Sequence, residues 1–244
     1  MDNNTSFRRI AAITAIISAP LALANLYLFM AAADFNFNLM SDPTGFLSVG
    51  AERAVLVRWS WILDVFGRYF LLFPATLYLW HWLKPKNPNL VSMYTVFGLA
   101  HILIGAMAGT LLASVWPPMI RAYAQAAEAQ RELLRVVFEA TVNLNHAGWL
   151  NILEVILGGL WLLGTGLMLR SERRVLGIAT IVVGIAGLVI GVETILQIEL
   201  LTMPGLFVYL FLGPVWALWL GMVIAPGTGK VELSSLQYPE QYQS

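Results

Sequence analysis

The sequence predicts an all-α, polytopic membrane helix bundle with six transmembrane helices, an additional amphipathic extracytoplasmic helix, and both termini on the cytoplasmic side (N-in, C-in). Three observations predict it. Of 244 residues, 59% are hydrophobic and 11% charged, and the mean hydropathy is +0.73, which leaves more apolar surface than one aqueous domain could bury. Apolar runs of spanning length recur along the chain. The uncompensated basic residues fall in alternate connections, as the positive-inside rule requires. The expected organisation is a single transmembrane domain over residues 1–225, with spans at about 10–33, 54–83, 89–116, 146–169, 175–201 and 205–224, followed by a disordered cytoplasmic tail over 226–244.

Span one follows Arg8 and Arg9. A basic start, an apolar run and Ala22-Leu23-Ala24 match a cleavable signal, but the apolar run continues through LYLFMAAA to full spanning length, which favours a retained helix. Asp34 to Arg53 is a polar loop broken by Asp42-Pro43 and Gly45, with Phe35, Phe37 and Phe46 suited to the membrane interface. Span two is too apolar and too long for a soluble helix, yet it carries Arg58, Asp64 and Arg68. Lys84-Pro85-Lys86-Asn87-Pro88 ends it and starts span three, which Pro117-Pro118 closes.

From Met119 to Asn145, Arg121, Glu128, Arg131, Glu132, Arg135 and Glu139 alternate with Ala, Leu and Val at helical spacing. That pattern predicts an amphipathic helix on, or projecting from, the membrane surface. It leads without a proline into span four, which ends at Arg170-Ser171-Glu172-Arg173-Arg174; Met203-Pro204-Gly205 forms the short turn between spans five and six. Six spans place Arg8, Arg9, Lys84, Lys86, Arg170, Arg173, Arg174 and Lys230 on one side, which makes that side cytoplasmic. Superposing Lys84 on Arg170, an offset of about 86 residues, gives a weak internal repeat that sets Arg68 on Glu154.

Ions inside a span must find partners in the protein or in water. At about 1.5 Å of rise per residue from the basic turns, Arg68 and Glu154 both lie roughly 22 Å up, Asp64 and Glu193 roughly 27–28 Å, and His101 roughly 16 Å. Together they describe an outward-opening polar cavity. At 100° per residue, Asp64 and Arg68 are one turn apart; Glu139, Asn143, His146 and Glu154 share a face of span four's helix, and Glu193 shares one with Gln197. Opposite them, Gly184, Gly187 and Gly191 form a small-residue seam suited to close helix approach. The candidate ligand- or proton-binding residues are therefore Asp64, Arg68, His101, Glu154 and Glu193, supported by Arg58, Asn143, His146 and Gln197.

Competing structural readings stand beside these. Asp64 with Arg68, and Arg68 with Glu154, also read as clasps that fix helix register. Arg58 reads as an interfacial snorkeler, His81 between Trp80 and Trp82 as part of an aromatic belt, Glu199 as solvent-exposed, and His101 as a satisfied core histidine.

No cofactor and no metal site are expected: three histidines at three depths make a poor haem or three-His site, and no HExxH motif occurs. There is no nucleophile elbow or Walker A, and no lysine inside a span to carry a retinal Schiff base; Gly164-Thr165-Gly166 reads as packing. The lack of cysteine excludes disulfides, Fe–S clusters and thiolate sites. Net charge of +0 without a basic block argues against nucleic acid.

The stretches FRRIAAITAIISAP, RWSWILDVFG with LYLWHWLKPKNPNL, and GGLWLLGTGLMLRSERRVLGIATIVVGIAGLV resemble a widespread bacterial family of six-helix membrane proteins known only as a domain of unknown function. The resemblance spans about Phe7 to Ile224, and Arg58, Asp64, Lys84 and Arg170 match its polar pattern. Where such proteins often carry a proline before the helix of the second cytoplasmic turn, Arg173-Arg174 stand here. It implies an α-helical bundle in a bacterial inner membrane and no activity.

The reading that follows is a protein that binds or carries a small solute or lipophilic molecule, with protonation of a carboxylate as a coupling step. The alternative is a structural or accessory subunit of a larger membrane complex, docked through the Met119–Asn145 helix; least favoured is an intramembrane enzyme or haem protein using His101 with Glu154. Membrane lipids, a small-molecule ligand and a membrane-protein partner or second copy are the expected partners.

Overall fold

The computed structural model describes residues 3–36, 39, 43–198, 200 and 202–225. Expectations for Phe37, Asp42, Glu199 and the 226–244 tail lie outside those residues. Six helices are long and apolar enough to cross a membrane: α1 (Thr5–Ala32), α2 (Ala51–Leu83), α3 (Pro88–Gln125), α4 (Glu128–Leu169), α5 (Arg174–Leu196) and α6 (Pro204–Ile224). No strand occurs among the described residues. Large apolar side chains such as Ile13, Phe66, Leu103 and Val175 point outward from these helices. An all-round apolar helix is stable only in a lipid or protein surround. The chain is a polytopic membrane protein.

The helices pack in chain order as a ring, each beside the next, with α6 closing against α1. The closest pair is α4 with α5, where glycines bring backbone onto backbone. A Cβ on Gly184 would fall 2.6 Å from the Leu163 nitrogen, and one on Gly159 would fall 2.8 Å from the Gly184 carbonyl oxygen. The seam expected from Gly184, Gly187 and Gly191 therefore seats α4. Gly184→Leu should force these helices apart and cost about 2–3 kcal/mol, seen as a lower melting temperature in detergent; an unchanged melting temperature would place the seam elsewhere.

One end of the ring gathers the start of α1, the end of α6 and both basic turns. Arg8 donates from Nε to the Ile224 carbonyl at 2.6 Å and from Nη2 to that of Ala225, capping α6. Lys86 donates to the Met168 carbonyl and to Ser171 Oγ and pairs with Glu172, while Trp82 Nε1 donates to the same carboxylate. Asn87 caps α3 by accepting from the Leu90 amide, with Pro88 at the first helical position.

Two apolar cores stack along the ring axis. The one nearer the basic turns holds Leu79, Leu83, Trp161, Leu169, Leu176, Trp216 and Leu220. The other is a cluster of Phe46, Trp61, Trp116, Ile120 and Phe138, with Phe29 against it.

That second core accounts for two corrections. Phe46, expected at the interface, is fully buried there, carried in by a tight turn over Pro43–Ser48. Pro117-Pro118 does not close span three, because α3 runs on to Gln125. An interior proline costs about 3 kcal/mol, but Trp116 and Ile120 on either side are buried, and each large apolar side chain taken from water contributes about 1.5–3 kcal/mol.

The amphipathic segment consequently begins at Glu128, after Ala126-Ala127 turn the chain. At 38 and 42 residues, α3 and α4 exceed the roughly 20 that cross a bilayer, so their joined ends project as a hairpin. Span five ends at Leu196, where Gln197 takes a left-handed conformation with φ 55°. Met203-Pro204-Gly205 is helical, within Thr202–Phe207, and Pro204 is tolerated in the first turn because its missing N–H would have no helical acceptor.

Candidate functional site

Between the two apolar cores lies a polar layer, delivered by three places where the helices widen into π turns: Val65–Tyr69 in α2, Asn143–Glu154 in α4 and Val208–Leu212 in α6. A π turn inserts a residue into the helical repeat and re-aims the side chains around it, which is why such turns concentrate at functional sites. Here they turn Arg68 and the adjacent Tyr69, Glu154, and Tyr209 into the ring.

Glu154 is the hub and is only 3% exposed. Its Oε1 accepts from Tyr69 Oη at 3.2 Å and from Tyr209 Oη at 3.1 Å, and forms a buried salt bridge with His101 Nδ1 at 3.1 Å. His101 Nδ1 also lies 3.1 Å from the Glu154 carbonyl oxygen. With two oxygens facing it, Nδ1 is placed to donate.

The rings are seated on glycines. A Cβ on Gly158 would fall 2.5 Å from His101 Nδ1, one on Gly98 would fall 2.7 Å from Trp161 Cδ2, and one on Gly105 would enter the ring of Tyr69.

The second pair is Asp64 with Arg68. Arg68 Nε lies 2.6 Å from Asp64 Oδ1, and Asn25 Nδ2 of α1 donates to the same oxygen at 2.5 Å. No described residue accepts from Arg68 Nη1 or Nη2. Those nitrogens belong to a side chain that lines a central cavity of about 50 Å³ with Ser18, Gly67, His101, Glu154, Trp161 and Tyr209. Every one of the six helices contributes to its wall. A cavity of that size holds on the order of a few waters or a small organic molecule.

Of the residues singled out from the sequence, Asp64, Arg68, His101 and Glu154 come together. Arg68 does not clasp Glu154 directly: the two face one cavity while each pairs with another group. Glu193 is buried at the far end of α5 and is not in the cavity wall. Arg58, Asn143 and Gln197 are exposed, and His146 is half-buried beside Asn151. Glu139 is exposed too, so it shares no face with Glu154.

The cause of the last difference is the π segment, in which a 100° step no longer describes the chain; Asn145, not Asn143, turns inward and donates to the Ala108 carbonyl. The span-one and span-six partners, Asn25 and Tyr209, were missed with Tyr69. Their signal was a neutral polar group within an apolar run, each of which needs a hydrogen-bond partner in hydrocarbon.

Among the described residues, no three His, Cys, Asp or Glu side chains are grouped to hold a metal ion. No curated protein and no solved structure matches the chain. Residues 10–222 match the family described as Domain of unknown function (DUF4386), and the chain belongs to that family.

Proposed function

We propose that this protein binds a small solute or lipophilic molecule in the central cavity and serves as its carrier across a membrane. The observation that carries the reading is the Nη edge of Arg68, which meets no acceptor among the described residues while its side chain lines a cavity walled by all six helices. A clasp that served only register would spend its donors on partners. The charge distribution of the connections supports an orientation with both termini and the basic turns in the cytoplasm and the α3–α4 hairpin outside, in a bacterial inner membrane.

A second reading, an accessory subunit, draws on the hairpin, where Leu133, Val136, Val137 and Leu144 form an exposed apolar stripe beside the charged face. Native electrophoresis of solubilised membranes separates the two: a discrete larger complex favours the subunit, a solitary chain the carrier.

Binding is testable with four-carbon probes on the purified chain in detergent: butyrate, butyramide, butylamine and 1-butanol. A probe at ten times its Kd adds about 1.4 kcal/mol of stability. At least one should raise the melting temperature saturably. None should do so in Gly213→Leu, because Gly213 lines the cavity with helical backbone and nothing lies within 4 Å of where its Cβ would be. If no probe stabilises the wild type, the cavity reading falls.

A further inference from the structure

The cavity has two chemically different ends. One carries Arg68, Glu154 and Tyr209; the other, about one to two helical turns nearer the basic turns on α2, α4 and α6, is walled by Leu72, Trp161, Leu162 and Trp216, with His101 between Glu154 and the Trp161 ring. The polar groups at the apolar end are already spent, since Trp216 Nε1 donates to Thr180 Oγ1 and Ser18 Oγ donates to the Ala15 carbonyl. At the polar end, Glu154 Oε1 is taken by three donors, whereas the two terminal nitrogens of Arg68 offer four N–H groups that no described residue accepts. Those donors form the planar fork that matches a carboxylate.

We infer that the ligand is a short-chain monocarboxylate, its carboxylate on the Nη1/Nη2 edge of Arg68 and its alkyl chain among Leu72, Trp161, Leu162 and Trp216. This rests on the cavity-binding reading and narrows it. A dianion is disfavoured because Asp64 and Glu154 already face the single guanidinium. A primary amine is the competing ligand class, because Tyr69, Tyr209 and His101 all meet Glu154 at Oε1 and no described residue donates to its Oε2. A volume of about 50 Å³ takes a few carbons and no long acyl chain.

The test measures affinity by calorimetry for the full chain in detergent, with butyrate, butyramide, butylamine, 1-butanol and palmitate. Butyrate should bind tightest, and palmitate should not displace it. Removing the guanidinium alone leaves Asp64 buried without a cation, so the diagnostic variant is the double Asp64→Leu/Arg68→Met, which removes both charges. Butyrate affinity should fall by about tenfold to a hundredfold in that variant, the value of a charge-assisted hydrogen bond. Arg68→Lys, which keeps the charge but not the fork, should fall between it and the wild type.

Butyramide or butylamine binding as tightly as butyrate would overturn the carboxylate assignment, as would a double variant that keeps butyrate affinity within about twofold. Tighter binding of palmitate would identify a membrane fatty acid instead and overturn the short-chain assignment. Binding of 1-butanol or butylamine without butyrate sinks this inference and leaves the cavity reading standing; binding of none sinks both.

Discussion

Asp64→Leu is expected to destabilise the protein by about 3–5 kcal/mol, the cost of leaving a buried charge without its partner. The guanidinium of Arg68 is only slightly exposed, and among the described residues its one ion-pair partner is Asp64. With the carboxylate gone, the arginine must stay charged and buried without its ion-pair partner or drag its helix toward water. The Asn25 amide, which donates to the same oxygen, is orphaned at the same time. The double variant Asp64→Leu/Arg68→Met removes both charges and should recover most of the loss, because a buried pair exchanged for apolar groups of similar volume is often neutral. Midpoints of denaturant unfolding in detergent read both effects. Equal destabilisation by the single and double variants would mean that the two side chains do not depend on one another.

Glu154→Leu is expected to cost a similar amount by another route. It strips the acceptor from Tyr69, Tyr209 and His101 together, and each buried donor left without a partner costs about 1–3 kcal/mol. Glu154→Gln keeps one carbonyl oxygen for these donors and should cost about 1–2 kcal/mol. The ratio of the two losses, measured by the same unfolding experiment, distinguishes a hydrogen-bond hub from a site where shape alone matters. If Leu were tolerated as well as Gln, the hub would be refuted.

The membrane class and the six spans were legible because hydrocarbon imposes long apolar runs and leaves little else to build from. The common level of Arg68 and Glu154 was legible too, since counting from a basic turn needs only the rise per residue. Their partners were only partly so. Asp64 lies one turn from Arg68 on the same helix, but the meeting of His101 with Glu154 depends on how α3 and α4 lean together over Gly158.

Helix phase failed where the π turns begin. Asn143 and Asn145 differ by two positions, and only the widened backbone decides which one faces inward. Asn25 and Tyr209 went unseen because neutral polar groups in a span carry a weaker signal than ions, although in hydrocarbon they need partners as well. Phe46 and the continuation of α3 past Pro117-Pro118 are tertiary effects: an aromatic cluster assembled from five segments outweighs the local cues for an interfacial ring and a helix stop.

The polar layer depends on α6 and α4 meeting inside the ring through Tyr209 and Glu154. A double-mutant cycle of Tyr209→Phe with Glu154→Leu, each of which removes one side of the hydrogen bond, measures that contact directly. A coupling free energy of about 1 kcal/mol is predicted; losses that add to within about 0.3–0.5 kcal/mol, as distant sites do, would contradict it.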